Sequence, residues 1–81
     1  MARSKVGVLC DFLDGTERFK RDPLGVYHAA RRVRDSARMK DATERFRVVK
    51  RSLAPLEVIV SMETDGRIRV FRPDTGHELY I

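Results

Sequence analysis

Residues 21–55 read "RDPLGVYHAARRVRDSARMKDATERFRVVKRSLAP", and whether they form one helix or two decides the fold. At about 100° per residue, Val26, Ala29, Ala30, Val33 and Ala37 make one apolar stripe, while Met39, Ala42, Phe46, Val49 and Leu53 make another. The two stripes lie on opposite sides of a straight cylinder, so one straight helix cannot bury both against a single core. A break near residues 38–41 removes the conflict. Asp22 before Pro23 is a start signal, an N-cap acceptor followed by a residue whose φ is already helical. Asp41 with Glu44 three residues on is a second start of capping-box type, and Pro55 favours a stop just before it. The spacing predicts helices over 23–38 and 42–53, packed as a hairpin.

Downstream, "LEVIVSMETDGRIRVFRP" (56–73) reads as a β-hairpin. β-Branched and apolar residues fill both arms, and Gly66 can supply positive φ in a three-residue loop. Pairing Glu63 with Arg67 sets Ser61 opposite Arg69 and Ile59 opposite Phe71. The other face then carries Val60 opposite Val70 and Met62 opposite Ile68, an apolar inner face. Arg67 is expected to answer Glu63 across the strands, whereas Arg69 is left without such a partner. "PDTG" (73–76) is a second turn before a last strand, "HELYI". Upstream, the apolar run of "SKVGVLCDF" (4–12) suggests an N-terminal strand ended by Asp11, with Asp14-Gly15 as turn and cap.

"DGTERFK" (14–20) and "DATERFR" (41–47) are near-copies. The likeness stops on both sides, which argues against a duplicated domain. It does suggest a short helical turn over 15–21 with Phe19 pointing inward. The expected architecture is an α+β single domain (1–81): N-terminal strand, two-helix hairpin, then a three-stranded antiparallel meander.

The 81 residues hold 17 Lys and Arg against 12 Asp and Glu, a net charge of +5. The lysines are Lys5, Lys20, Lys40 and Lys50; the remaining cations are arginine, which suits planar, bidentate contact with phosphate or carboxylate. One cysteine, Cys10, excludes an internal disulfide and fits a reducing, cytoplasmic setting. The first apolar run is too short for a membrane span. A domain this small buries a modest core, so added stability is expected from a partner: DNA or RNA, an acidic protein surface, or a second copy in a homodimer. No membrane partner is expected.

Position sharpens the charge argument. In the first helix Arg31, Arg34 and Arg38 lie opposite the apolar stripe, with Arg32 beside them. In the second, Arg47, Lys50 and Arg51 turn away from Phe46 and Val49. With Arg69, these are the candidate nucleic-acid-binding residues. A solvated face is the commoner explanation for one charged helix. Two basic helices with too few acids to neutralise them favour a polyanion contact.

No catalytic residue, metal ligand or cofactor site emerges. "DFLDGT" (11–16) has the parts of the Asp-x-Asp-Gly-Thr signature of haloacid-dehalogenase-type phosphatases, but two residues separate Asp11 from Asp14 where that signature has one. The large doubly wound sheet of those enzymes cannot fit in this length. His28 and His77 stand apart from any catalytic companion, and Tyr27 and Phe71 read first as packing residues.

The strand–helix–helix–meander order resembles the RelE/ParE toxin fold, and "IRVFRPDTGHELYI" (68–81) is similar to its last strands, with a Gly-His pair before an aromatic. The resemblance implies a toxin acting on RNA or on a nucleic-acid enzyme. It implies Arg72 and Tyr80 near a scissile phosphate, where such groups orient the ribose hydroxyl and stabilise phosphorane charge. The reading that the residues themselves favour is a small basic nucleic-acid-binding protein, a regulator, that contacts phosphates through arginine-rich helix faces. The other alternative is a protein-interaction module, a phage-type inhibitor or adaptor whose basic face meets an acidic protein.

Overall fold

A computed structural model describes residues 4–81; residues 1–3 of the expected 1–81 domain lie outside the described residues. The chain runs α1 (Lys5–Leu13), α2 (Glu17–Arg21), α3 (Pro23–Ser36), α4 (Ala42–Leu53), β1 (Ile59–Met62), β2 (Ile68–Phe71) and β3 (Glu78–Tyr80). The result is a small α+β domain, helices first and a three-stranded antiparallel sheet of order β1-β2-β3 after them.

The expected N-terminal strand is a helix. Ser4 Oγ accepts from the Gly7 N–H at 3.1 Å and caps α1. Strand alternation would have put Val6, Val8, Cys10 and Phe12 on one face. Instead Val6, Leu9 and Leu13 are buried, at helical spacing, while Val8 is 37% exposed. The β-branched valines signal a strand locally, but packing of α1 on α3 overrides that preference. Asp11, expected to end a strand, lies inside α1.

The break in the long helical stretch is present. Asp22 Oδ1 accepts from the Gly25 N–H at 3.0 Å, and Pro23 opens α3. Asp41 Oδ1 accepts from the Thr43 and Glu44 N–H groups at 2.9 and 3.4 Å and opens α4. The near-copies now part company. Gly15 takes φ +86°, which lets Asp14 close α1 and passes the N-cap of α2 to Thr16. Ala42, in Gly15's place, starts α4 directly after Asp41. One glycine separates a turn from a cap because only glycine enters that region freely. Thr16 Oγ1 accepts from the Phe19 N–H at 3.2 Å and donates to the Leu13 carbonyl at 2.9 Å, so the buried hydroxyl is satisfied in both senses. Phe19 is half-buried against the core, as its spacing implies.

The hairpin register is the expected one: Ile59 faces Phe71, Val60 faces Val70, Ser61 faces Arg69 and Met62 faces Ile68. The loop closes with the Glu63 N–H donating to the Arg67 carbonyl at 2.8 Å and Gly66 at φ +88°. Ile68 and Val70 are fully buried under the helices beside Leu13, Val26, Val49 and Leu53. Met62, expected on the inner face, sits at the end of β1 beyond that cover and is 41% exposed. The second turn holds Gly76 at φ +78° and leads into β3 through the Arg72 N–H donating to the His77 carbonyl at 2.9 Å.

Candidate nucleic-acid interface

α3 presents Arg31, Arg32 and Arg34 to solvent, and Arg38 follows in the turn. Asp35 is the single acid of α3. It accepts from Arg34 Nε and Nη2 at 3.1 and 3.0 Å. Arg31 lies over the Tyr27 ring at 5.9 Å. Arg31, Arg32 and Arg38 therefore carry no carboxylate partner among the described residues, because one acid cannot serve four cations. On α4, Arg47 donates to Glu44 at 3.0 Å, so Glu44 holds a side chain of its own helix. Lys50 lies over the Phe46 ring at 5.7 Å and Arg51 is exposed without a described carboxylate partner.

Arg69 is the clear departure. The hairpin pattern leaves it without a partner, yet its Nε donates to Glu78 Oε2 at 2.7 Å across the β2–β3 pairing, and it stacks over Phe71 at 4.8 Å. The Glu78 hydrogen bond raises its pKa and holds the charge in place. Glu78 belongs to a strand that only the fold sets beside β2. Arg67 does not answer Glu63 through its side chain either. The tight turn brings Asp65 to its Nε at 2.6 Å, and it covers the Tyr80 ring at 4.5 Å. The Arg67 N–H holds the Asp65 carboxyl below the usual carboxylate range.

The structure does not gather the eight candidates into one pocket. Arg32 joins Arg18 in a groove of about 160 Å³ between α3 and the end of α4, walled by Val26, Ala29, Ser52 and Leu56. Arg34 borders a separate apolar hollow formed with α1 and β3. Lys50 borders a third, against β1. Arg18 carries little signal in the sequence beyond its i,i+4 spacing from Asp22, with which it pairs at 3.8 Å.

The two residues implied by the toxin resemblance are not assembled into a site. Arg72 is buried: its guanidinium donates to Asp74 at 3.0 and 2.6 Å and to the carbonyls of Phe12 and Asp14 at 3.0 and 2.7 Å. It ties the β2–β3 turn to the end of α1. Tyr80 pairs with outward-facing Arg69 on the other side of the sheet. The helix at residues 5–13 also removes the leading strand from the element order on which that resemblance rests.

Elsewhere the chemistry is sparse. Burial, with Asp11 nearby, pushes the Cys10 thiol pKa up, which makes it a poor nucleophile at neutral pH. Among the described residues no group of three or more His, Cys, Asp or Glu side chains is placed to hold a metal ion. No described helix is long and apolar enough to cross a membrane. The chain matches no family model, no curated protein and no solved structure.

Proposed function

We propose that the protein binds nucleic acid, duplex DNA or structured RNA, by contacting phosphates through the outer faces of α3 and α4, in a regulatory role. The observation that carries this reading is a group of exposed cations on α3, α4 and the turn between them without a described carboxylate partner: Arg31, Arg32, Arg38, Lys50 and Arg51. Arg47 and Arg69 are already paired and contribute less; Arg34 shares its charge with a neighbouring acid. Cations spread over two helices follow a backbone rather than read base edges, since phosphate contacts position a protein and base contacts specify sequence.

Affinity is expected to fall steeply with salt, by about 0.9 log units per log unit of salt for each phosphate neutralised on B-DNA. Fluorescence anisotropy against mixed-sequence DNA and RNA duplexes at two salt concentrations tests this. Changing Arg31, Arg32 and Arg38 together to Gln should weaken binding to all sequences alike and flatten the salt slope. Absence of binding at low salt, or binding untouched by the triple change, overturns the assignment.

A further inference from the structure

The hollow beside Arg34 has a chemistry that phosphate binding does not use. It lies between α1, α3 and β3, and its volume is about 160 Å³. Leu9, Ala30 and Val33, buried residues of the core, line it, and Ala37 and Leu79 complete the walls. Val8, Lys5, Arg34 and Ala37 are the solvent-exposed part of its lining, and Tyr80, whose ring lies under Arg67, borders it from β3. An apolar cavity of about 150 Å³ accommodates a benzene-sized group, so the space matches one medium-sized apolar side chain. It is too small for the whole face of a helix.

Lys5 and Arg34 belong to the same hollow. The acids of the two helices are Asp11 on α1 and Asp35 on α3. Asp35 takes Nε and Nη2 of Arg34 and leaves Nη1 free to donate. That bond joins exposed neighbours in sequence, a kind of ion pair that an incoming carboxylate displaces at little cost.

An apolar recess with a cationic border complements a ligand that is both apolar and anionic. A nucleic-acid backbone satisfies the cations but has nothing to fill the recess. We infer that this hollow docks an acidic segment of a partner protein, which inserts one apolar side chain between Val8, Val33, Ala37 and Leu79 and sets its carboxylates against Lys5 and Arg34. The inference is independent of the nucleic-acid reading, which rests on other arginines.

The test uses short fluorescein-labelled Asp/Glu-rich peptides, identical but for a central Phe or Ala, against the full chain. Burial of the anchor predicts that the Phe peptide binds roughly tenfold or more tightly than the Ala peptide. Two variants probe the recess separately. Ala37→Leu fills it from an exposed position at the end of α3. Val8→Glu places a carboxylate on its exposed side and keeps a good helix former in α1. Each should abolish the preference for Phe, with thermal melts confirming that the variant is folded. Lys5→Gln with Arg34→Gln should weaken both peptides alike, whereas Arg47→Gln, on α4 and outside the lining of the hollow, should leave both unchanged. A mixed-sequence DNA duplex should bind Ala37→Leu as it binds the parent chain. Equal binding of the two peptides, a Phe preference that survives both recess variants, no peptide binding at low salt, or a duplex that loses affinity along with the peptide would each overturn the proposal.

Discussion

On the sheet, Arg67 donates to Asp65, Arg69 to Glu78 and Arg72 to Asp74. On α3 and α4 and in the turn between them, Arg31, Arg32, Arg38 and Arg51 have no carboxylate partner among the described residues. The difference lies in backbone geometry. A tight turn folds Asp65 back on Arg67 and Asp74 back on Arg72, two positions apart in each case, and sheet pairing adds Glu78 opposite Phe71, next to Arg69. Along a helix the neighbours on one face lie three or four positions away, and adjacent residues meet as Arg34 and Asp35 do. Arg51 has Arg47, Val48, Ala54 and Pro55 at those positions; Asp35, the acid at that spacing from Arg31 and Arg32, is held by Arg34, and Asp41, three positions after Arg38, caps α4. Each described arginine around the sheet thus has a carboxylate partner, whereas α3, the turn after it and α4 hold several uncommitted arginines beside the paired Arg34 and Arg47.

The contrast is most exposed at Arg72. Arg72→Ala leaves two carbonyls and a carboxylate without their donor in a part-buried site and should cost about 2–3 kcal/mol. For a domain of this size that lowers the melting midpoint by roughly 10 °C or more. Arg72→Lys should recover only part of the loss, since an ammonium cannot reproduce the guanidinium fork. A midpoint within a degree or so of the parent would break the division between structural and free arginines.

Gly66 comes next, because its conformation closes the turn that hands Asp65 to Arg67. At φ +88°, a β-branched side chain is strained. Gly66→Val should destabilise by about 1 kcal/mol or more, read from chemical denaturation. An unchanged midpoint would mean that the turn does not depend on this geometry.

A smaller effect is expected with pH. The hydrogen bond from Arg72 holds the Asp74 carboxyl below its ordinary pKa. A carboxyl depressed in the folded state stabilises the fold above its unfolded pKa of about 3.9. That stabilisation disappears as pH falls from there through the folded value. The gap in melting midpoint between the parent and Asp74→Asn should therefore be full at neutral pH and shrink below about pH 4. A gap that stays constant through the acid range would separate Asp74 from the role assigned to Arg72.

The smallest change in stability is expected where the effect on binding is greatest. Gln retains much of the helix propensity of Arg, and Arg31, Arg32 and Arg38 make no ion pair among the described residues. The triple change to Gln should move stability by no more than about 0.5 kcal/mol per site while reducing affinity for nucleic acid. A large loss of stability would show that these arginines are structural after all.

Much of the architecture is legible along the chain because the signals are local. Opposed apolar stripes require the break between α3 and α4, Asp22-Pro23 and Asp41 start those helices, and alternation with Asp65-Gly66 sets the hairpin register residue for residue. The N-terminal segment is not legible in the same way. Val6 and Val8 carry a local strand preference, and the burial of Val6, Leu9 and Leu13 against α3 exists only once the helical layer has formed. The same holds for charge. The sequence by itself determines an excess of arginine and, through helical spacing, that α3 has one acid for several cations. Only the tertiary structure decides that Glu78 reaches Arg69, that Arg72 turns inward to the carbonyls of Phe12 and Asp14, and that Lys5 and Arg34 come to border one apolar hollow. The physical reason is range: capping, helical stripes and hairpin turns act within a few residues, whereas the contacts that sort structural from free arginines join positions up to 60 apart along the chain.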